Sequence, residues 1–285
     1  MLYWKNKIKK TGAIQIIHFI RLFCYMNRIK QILLSILGEK KYLSLVAGSF
    51  QNIYQAGLAG LNYQDIYFLK KFIGEGDYCV DIGAHLGYYT CELSRLVKAS
   101  GKVIAIEPMS KFNNTLKKLL AKKNLQNVEL LQVAMGGDTD YVEMGIPKVQ
   151  NMKKFAYARV MKANSYLEYV ESERIKNESG DRLFINLPRL DFIKCDVEGL
   201  EVPVFASMMK LLEKFHPILL CELADKDERI KFYEMIAPLG YDTYALYDGK
   251  LKPLDVYSDQ KAISHNHYFI SQDRAAKLQQ LISAS

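Results

Sequence analysis

The sequence predicts a doubly wound α/β fold: a mostly parallel sheet with helices on both faces, preceded by a helical N-terminal extension. Three observations carry this. From residue 78 onward, short apolar runs alternate with segments of helical spacing, the pattern of strands joined by crossover helices. The first run leads through a glycine turn into a helix, Val80-Asp81-Ile82-Gly83-Ala84-His85-Leu86-Gly87-Tyr88-Tyr89-Thr90, which is how open α/β sheets build a ligand-binding corner. The next run, Lys102-Val103-Ile104-Ala105-Ile106, ends in a second acid, Glu107, before Pro108.

Taken in order, residues 13–37 have helical periodicity. Gln15, His18 and Arg21, then Arg28, Gln31 and Ser35, form one polar stripe on a wide apolar face, and Gly38 ends the segment. Charge interrupts it too often for a membrane span, and it lacks the small-residue cleavage site of a signal peptide. Packing on the body, or on a second copy in a homodimer, is the favoured use of the apolar face. A helix lying in a membrane plane, with its lysines on anionic lipid, is the second. Residues 42–77 read as a helical lead-in, with 63–73 at apolar helical spacing and Gly74-Glu75-Gly76-Asp77 turning into the first strand. Residues 1–60 are therefore a basic helical extension and 61–285 the main domain.

Further strands are expected at 102–107, 128–134, 192–196 and 218–222. Helices fit 91–97, a segment capped by Ser110 and running to about Lys123, a segment with Pro203 in its first turn running to about Phe215, and 226–239, ended by Gly240. The stretches 241–247 and 268–271 close the sheet as an antiparallel pair, and a short helix follows Asp273. Residues 137–190, rich in Lys, Glu, Asn and Tyr, show no clear period and receive no assignment.

At 285 residues, with 49% hydrophobic and 25% charged side chains, the chain has an ordinary globular composition and can bury one substantial core. The net charge of +8 resides in residues 1–41, where nine Lys/Arg face one acid, Glu39. The rest is balanced, which argues against a nucleic-acid groove across the main domain. Cys24, Cys79, Cys91, Cys195 and Cys221 show no C-x-x-C spacing. They read as reduced thiols of a cytoplasmic protein, peripheral to a membrane if the extension binds one, not as a disulfide framework or zinc site.

The turn after Asp81 lacks the second glycine of a dinucleotide fingerprint. A carboxylate at the strand tip would repel pyrophosphate but suits a ligand carrying an ammonium or sulfonium charge. That favours S-adenosylmethionine over a nicotinamide cofactor. Glu107, at the second strand tip, can accept hydrogen bonds from both ribose hydroxyls. A turn-capping role for Asp81 and a solvated strand end for Glu107 are the plainer alternatives, and the ordered pair favours the nucleoside reading.

With these elements placed, the runs DIGAHLGYYT, VIAIEP and IKCDVEGLEVPVFASMMKLLEKFHPILLCEL resemble the FkbM family of S-adenosylmethionine-dependent methyltransferases, over about residues 60–270. The first run is shared by class I methyltransferases in general. Asp196-Val197-Glu198-Gly199-Leu200-Glu201 is the specific signature. The resemblance implies a Rossmann-like, seven-stranded sheet whose last strand is antiparallel, and O-methylation of a hydroxyl on a sugar, as in a surface glycan, or on a similar secondary product. It implies that Asp81 and Gly83 line the methionine end of the cofactor, that Gly87 permits close packing, that Glu107 holds the ribose and that Ala134 and Met135 flank adenine. His85 stands where the family usually has Asn, either to bond the methionine carboxylate region or as a packing change. Cys195 replaces a usual Ile.

A neutral hydroxyl is a poor nucleophile, so a positioned base is expected, and Asp196 at the fourth strand tip is the first candidate, with Glu198 and Glu201 behind it. Three acids in six residues also leave a divalent metal open, as they do a structural role in which Glu198 or Glu201 caps backbone or pairs with a base. Glu222, ending the fifth strand, is a further substrate-side acid; His216 reads as structural, and His265 and His267 as surface-loop residues. An N-methyltransferase is disfavoured because Asp-Val-Glu-Gly replaces the Pro-Pro-Tyr run of amide and nucleobase methylators. A non-catalytic methyltransferase-fold scaffold is disfavoured by the intact Asp81, Gly83, Gly87 and Glu107 set.

Overall fold

The computed structural model describes the chain except residues 1, 61–62, 138, 150–151, 162–165, 259–264 and 284–285; along 2–28 and at 152 it describes backbone only. The side chains of Gln15, His18, Arg21, Cys24 and Arg28 therefore lie outside the described residues. The chain forms two compact units, Met1–Val46 and Ala47–Ser285.

Helix α1 (Leu2–Gln55) breaks at Gly38, whose φ of 70° and ψ of 162° leave the helical region, at the residue where the periodicity ends. In the first unit Ile29, Ile32 and Ile36 are exposed at helical spacing. Among the described residues no helix is long and apolar enough to cross a membrane.

In the second unit, α2 (Gln64–Phe68) leads to β1 (Tyr78–Ile82), α3 (Tyr88–Val97), β2 (Lys102–Ile106), α4 (Ser110–Lys122) and β3 (Val128–Leu131). After an inserted region come α5 (Gly180–Phe184), β9 (Phe192–Cys195), α6 (Glu201–Ala206), α7 (Met209–Phe215), β10 (Ile218–Glu222), α8 (Lys226–Ile236), β11 (Tyr241–Tyr247), β12 (Lys250–Pro253), β13 (Asn266–Ser271) and α9 (Gln272–Lys277). The main sheet has the order β12-β11-β13-β10-β9-β1-β2-β3. From β3 to β10 it is parallel, while β13 runs antiparallel to both β10 and β11. This is the expected class I arrangement, with β12 added at the edge as an antiparallel hairpin partner of β11.

The pleat assigns each strand residue to one face. Val80, Ile82, Ile193, Cys195, Leu219 and Cys221 pack under α6, α7 and α8 with Phe205 and Phe232. Cys79, Phe192, Ile218 and Leu220 pack on the other face with Leu69, Leu93 and Tyr268. Continued toward the carboxyl ends, that second face holds Asp81, Lys194, Asp196 and Glu222, so an apolar layer gives way to a polar one at the strand tips.

Four expectations change. Ser110 is the first helical residue, not the cap: Met109 is the N-cap, and the Ser110 N–H and hydroxyl both donate to Glu173. The 128–134 run splits, because the chain leaves the sheet at Gln132, whose amide donates to the Ser110 hydroxyl at 2.7 Å. The helix after Pro203 breaks at Ser207–Met208 into α6 and α7. His267 lies within β13 at 1% exposure and is no surface residue.

The unassigned segment is a second sheet. β4 (Ala134–Met135), β5 (Tyr141–Val149), β6 (Met152–Lys153), β7 (Arg159–Val160) and β8 (Glu168–Glu178) are built around the long β5–β8 antiparallel pair. Cross-strand charge replaces apolar alternation: Glu171 of β8 pairs with both Lys153 of β6 and Lys111 of α4.

Candidate active site

A cavity of about 350 Å³ opens over the carboxyl ends of β1, β2, β9 and β10 and is roofed by the second sheet. Asp81, Gly83, His85 and Glu107 line one part, with Phe112, Val133, Ala134 and Met135 beside them. Lys194, Asp196, Glu198, Glu222 and Asn266 line another, next to Tyr63, Tyr88 and Tyr89. The roof is Met144 and the stretch from Phe155 to Val160.

The corner is built by glycine geometry. Gly83 has φ of 82°, and a Cβ there would stand 1.9 Å from the Asp196 carbonyl oxygen. Asp196 in turn donates its N–H to the Ile82 carbonyl at 3.0 Å. Gly87, the left-handed N-cap of α3, passes Leu116 so closely that a Cβ would meet its Cδ1 at 2.4 Å. Gly87 packs against Leu116 and is absent from the cavity lining.

Asp81 is 2% exposed, and its Oδ2 accepts from the Thr90 hydroxyl at 2.5 Å. Burial pushes its pKa up to about 6, against the opposing pull of Thr90 and of Lys194. Glu107 is 4% exposed; its two oxygens accept from the N–H groups of His85 at 2.8 Å and Met109 at 2.9 Å. Burial outweighs those bonds and raises it to about 8. Each oxygen keeps a further lone pair. His85, in the left-handed region at φ 47°, packs its ring against Phe112 with centroids 4.5 Å apart and planes tilted by 56°. Its Nε2 is buried without a hydrogen-bond partner, and desolvation lowers the imidazole to about 4, so the ring is neutral at physiological pH.

These features fit a nucleoside cofactor carrying a positive charge. His85 with its orphaned Nε2, Glu107 with spare acceptor capacity and the acid Asp81 all line the one cavity, with Gly83 among them.

The signature after β9 resolves into a tight turn. Glu198 and Gly199 have φ of 59° and 89°, and Glu201 Oε1 accepts from Val197 N–H at 3.0 Å and Gly199 N–H at 3.5 Å. Glu201, 3% exposed, is thus turned to its own loop and is absent from the cavity wall, so it holds the turn and does not face an acceptor. Glu198 lines the cavity and pairs with Arg159 of β7 at 2.7 Å; burial, then Asp196, raise it to about 7. Asp196, a third exposed, stands 3.6 Å from the Lys194 ammonium. Among the described residues no group of three or more His, Cys, Asp or Glu is placed to hold a metal ion.

Lys194 is the residue that motif reading missed. At 2% exposure it is a cation inside the sheet face, 5.3 Å from the Tyr89 ring centroid and in register with Asp81. Burial opposes its charge, but Asp196 and Glu222 outweigh that and raise its pKa. The signal was present: a lysine in a strand whose neighbours are all apolar has to find a partner.

Comparison with solved structures finds similar chains at low identity. A methyltransferase FkbM from Methylobacillus flagellatus KT is 16% identical, with a TM-score of 0.45, over 68% of this chain and 43% of that one. A SAM-dependent O-methyltransferase from Thermotoga maritima is 15% identical, with a TM-score of 0.42, over 72% of this chain and 63% of that one. Aeropyrum pernix fibrillarin, in complex with natively bound S-adenosyl-L-methionine, is 10% identical, with a TM-score of 0.41, over 73% of each chain. The match thus spans less than two thirds of the first two proteins. A search of curated proteins gave no match. The model of the Methyltransferase FkbM domain matches residues 81–248, well over half of the chain and the whole of the corner and signature described above; the protein belongs to the FkbM family of S-adenosylmethionine-dependent methyltransferases.

Proposed function

We propose that this chain transfers the methyl group of S-adenosylmethionine to a hydroxyl of a saccharide, in a surface glycan or a similar secondary product. The observation that carries the reading is that one cavity joins two unlike ends: the Asp81, His85 and Glu107 corner, and an acceptor end bearing Lys194, Asp196 and Glu222. Glu107 would hold the ribose hydroxyls, Asp81 and His85 the amino-acid portion, and Ala134 and Met135 the adenine. The bound cofactor supplies an activated methyl group on a good leaving group.

The chain's own residues orient the acceptor and manage its proton. Carboxylates accept from sugar hydroxyls, and Tyr63, Tyr88 and Tyr89 offer aromatic faces to its C–H surfaces. Asp196 faces the acceptor. Tyr157 and Val160 of the inserted region also line the cavity, so acceptor selection falls to that region and to Tyr63. Four buried free thiols, Cys79, Cys91, Cys195 and Cys221, support a reducing compartment, the cytoplasm. Mass spectrometry of surface glycans from cells with and without the gene tests the reading: it expects a glycan lighter by one methylene when the gene is lost. An unchanged glycan and small-metabolite profile would overturn it.

A further inference from the structure

We propose that Glu222 takes the proton of the acceptor hydroxyl, and that the neighbouring Asp196 and the buried Lys194 are the positioning residues that tune it. The inference rests on the methyltransferase reading and deepens it.

The geometry begins with register. Cys221 of β10 pairs with Cys195 of β9, so Glu222 and Asp196 follow at neighbouring strand tips, and both line the cavity. A neighbouring carboxylate disfavours the charged form of a carboxyl group, and a nearby cation favours it. The Lys194 ammonium stands 3.6 Å from Asp196 Oδ2. It is pinned there by the Cys195 carbonyl at 3.2 Å and Asn266 Oδ1 at 3.5 Å. Asn266 donates to Asp65 Oδ2 at 2.9 Å, and the Tyr268 hydroxyl donates to Asp65 Oδ1 at 2.9 Å. The ammonium is therefore fixed from beneath by the sheet and by α2, with Tyr89 over it.

Among the described residues, Asp81, in register with Lys194, and Glu198, paired with Arg159, also stand near this group. Burial and the adjacent Asp196 raise Glu222 to about 7, while Lys194 pulls it down. A base poised near neutral pH is suited to a hydroxyl whose proton is lost as the bond forms. In that step the acceptor oxygen bonds to the methyl carbon as the carbon–sulfur bond breaks, with the electron pair of that bond staying on sulfur. The hydroxyl proton passes to Glu222 and leaves to solvent before the next turnover.

The test measures transfer of labelled methyl from S-adenosylmethionine into the saccharide fraction of cells lacking the gene, as a function of pH, for the full chain and three variants. Wild type should show a rate that rises through a midpoint near 7. Asp196→Asn removes the repelling charge and should move that midpoint down, whereas Lys194→Met should move it up, each by about one pH unit or more. Glu222→Gln should lose the limb and about 100-fold or more in rate. A merely structural role would slow the variants without shifting the limb in opposite directions. Calorimetry with S-adenosylmethionine on the same samples separates the two readings. Cofactor binding with an unmoved limb, or with full rate in Glu222→Gln, overturns the Glu222 assignment alone. No cofactor binding in wild type overturns the methyltransferase reading with it. Should Lys194→Met not fold, the downward shift in Asp196→Asn decides.

Discussion

The carbonyl oxygen of Asp196 lies 1.9 Å from the point where a Cβ on residue 83 would stand. Gly83 follows β1 and Asp196 follows β9, so the contact sets how closely these two strand tips approach. A side chain at 83 would have to push β1 and β9 apart at their tips, and φ of 82° adds backbone strain. Gly83→Ala should cost about 3 kcal/mol or more, read as a fall in thermal midpoint with loss of S-adenosylmethionine binding. A stable variant that binds normally would show that the two tips are free to separate.

On the proposed reading, Glu107 would set the pH dependence of cofactor uptake. Raised to about 8 by burial, it is largely protonated below that pH, while ribose hydroxyls bond best to the ionised form. Affinity for S-adenosylmethionine should therefore rise as pH increases toward 8 and level above it, by at most tenfold per pH unit. Binding near pH 7 should release a proton, visible as buffer-dependent heats. Because the pKa is raised in the folded chain, the same group contributes stability that is present below the ordinary carboxyl range and is lost as pH rises through 8. Glu107→Gln should flatten both dependences, apart from the cofactor's own titration.

His85 tests whether the departure from the family's usual Asn is functional. The imidazole is neutral and its Nε2 has no partner, so it can offer one hydrogen bond to the cofactor. His85→Leu should weaken S-adenosylmethionine by about 0.5–1.5 kcal/mol, roughly 2- to 10-fold. His85→Asn should be milder. Equal binding by all three would make His85 a packing residue on Phe112.

Glu201 should behave as a turn-holder. Glu201→Ala leaves the Val197 and Gly199 N–H groups without their acceptor and should cost about 1–3 kcal/mol of stability, measured by denaturant unfolding. Glu201→Gln retains an acceptor oxygen and should cost less, with methyl transfer preserved. Loss of transfer in a fully stable Glu201→Gln would return this residue to the chemistry.

The main sheet was legible because Tyr78–Ile82, Lys102–Ile106 and Ile218–Glu222 are apolar runs buried on both faces, with acids at or just past their ends. The second sheet was not, because its strands carry charge where alternation would mark a face: Glu171 and Glu173 serve Lys111, Lys153 and Ser110 through ion pairs and hydrogen bonds. Asp81, Glu107 and Asp196 stand out by strand-tip position and His85 by the family resemblance, and all four line the cavity. For Glu198 and Glu201 the sequence leaves a chemical and a structural role open, and backbone conformation favours the structural one for Glu201: with Glu198 and Gly199 both at positive φ, the turn takes an internal acceptor. Lys194 was passed over inside an apolar run, and its role becomes visible only when β10 and β13 bring Glu222 and Asn266 beside it.

The central claim is that two acidic strand tips hold the methyl donor, and calorimetric titration of the full chain with S-adenosylmethionine tests it most directly. One-to-one binding is expected in wild type, weakened in Asp81→Asn and in Glu107→Gln by about 1.5–3 kcal/mol, roughly 10- to 100-fold each. Absence of binding in wild type, or unchanged affinity in both folded variants, would contradict it.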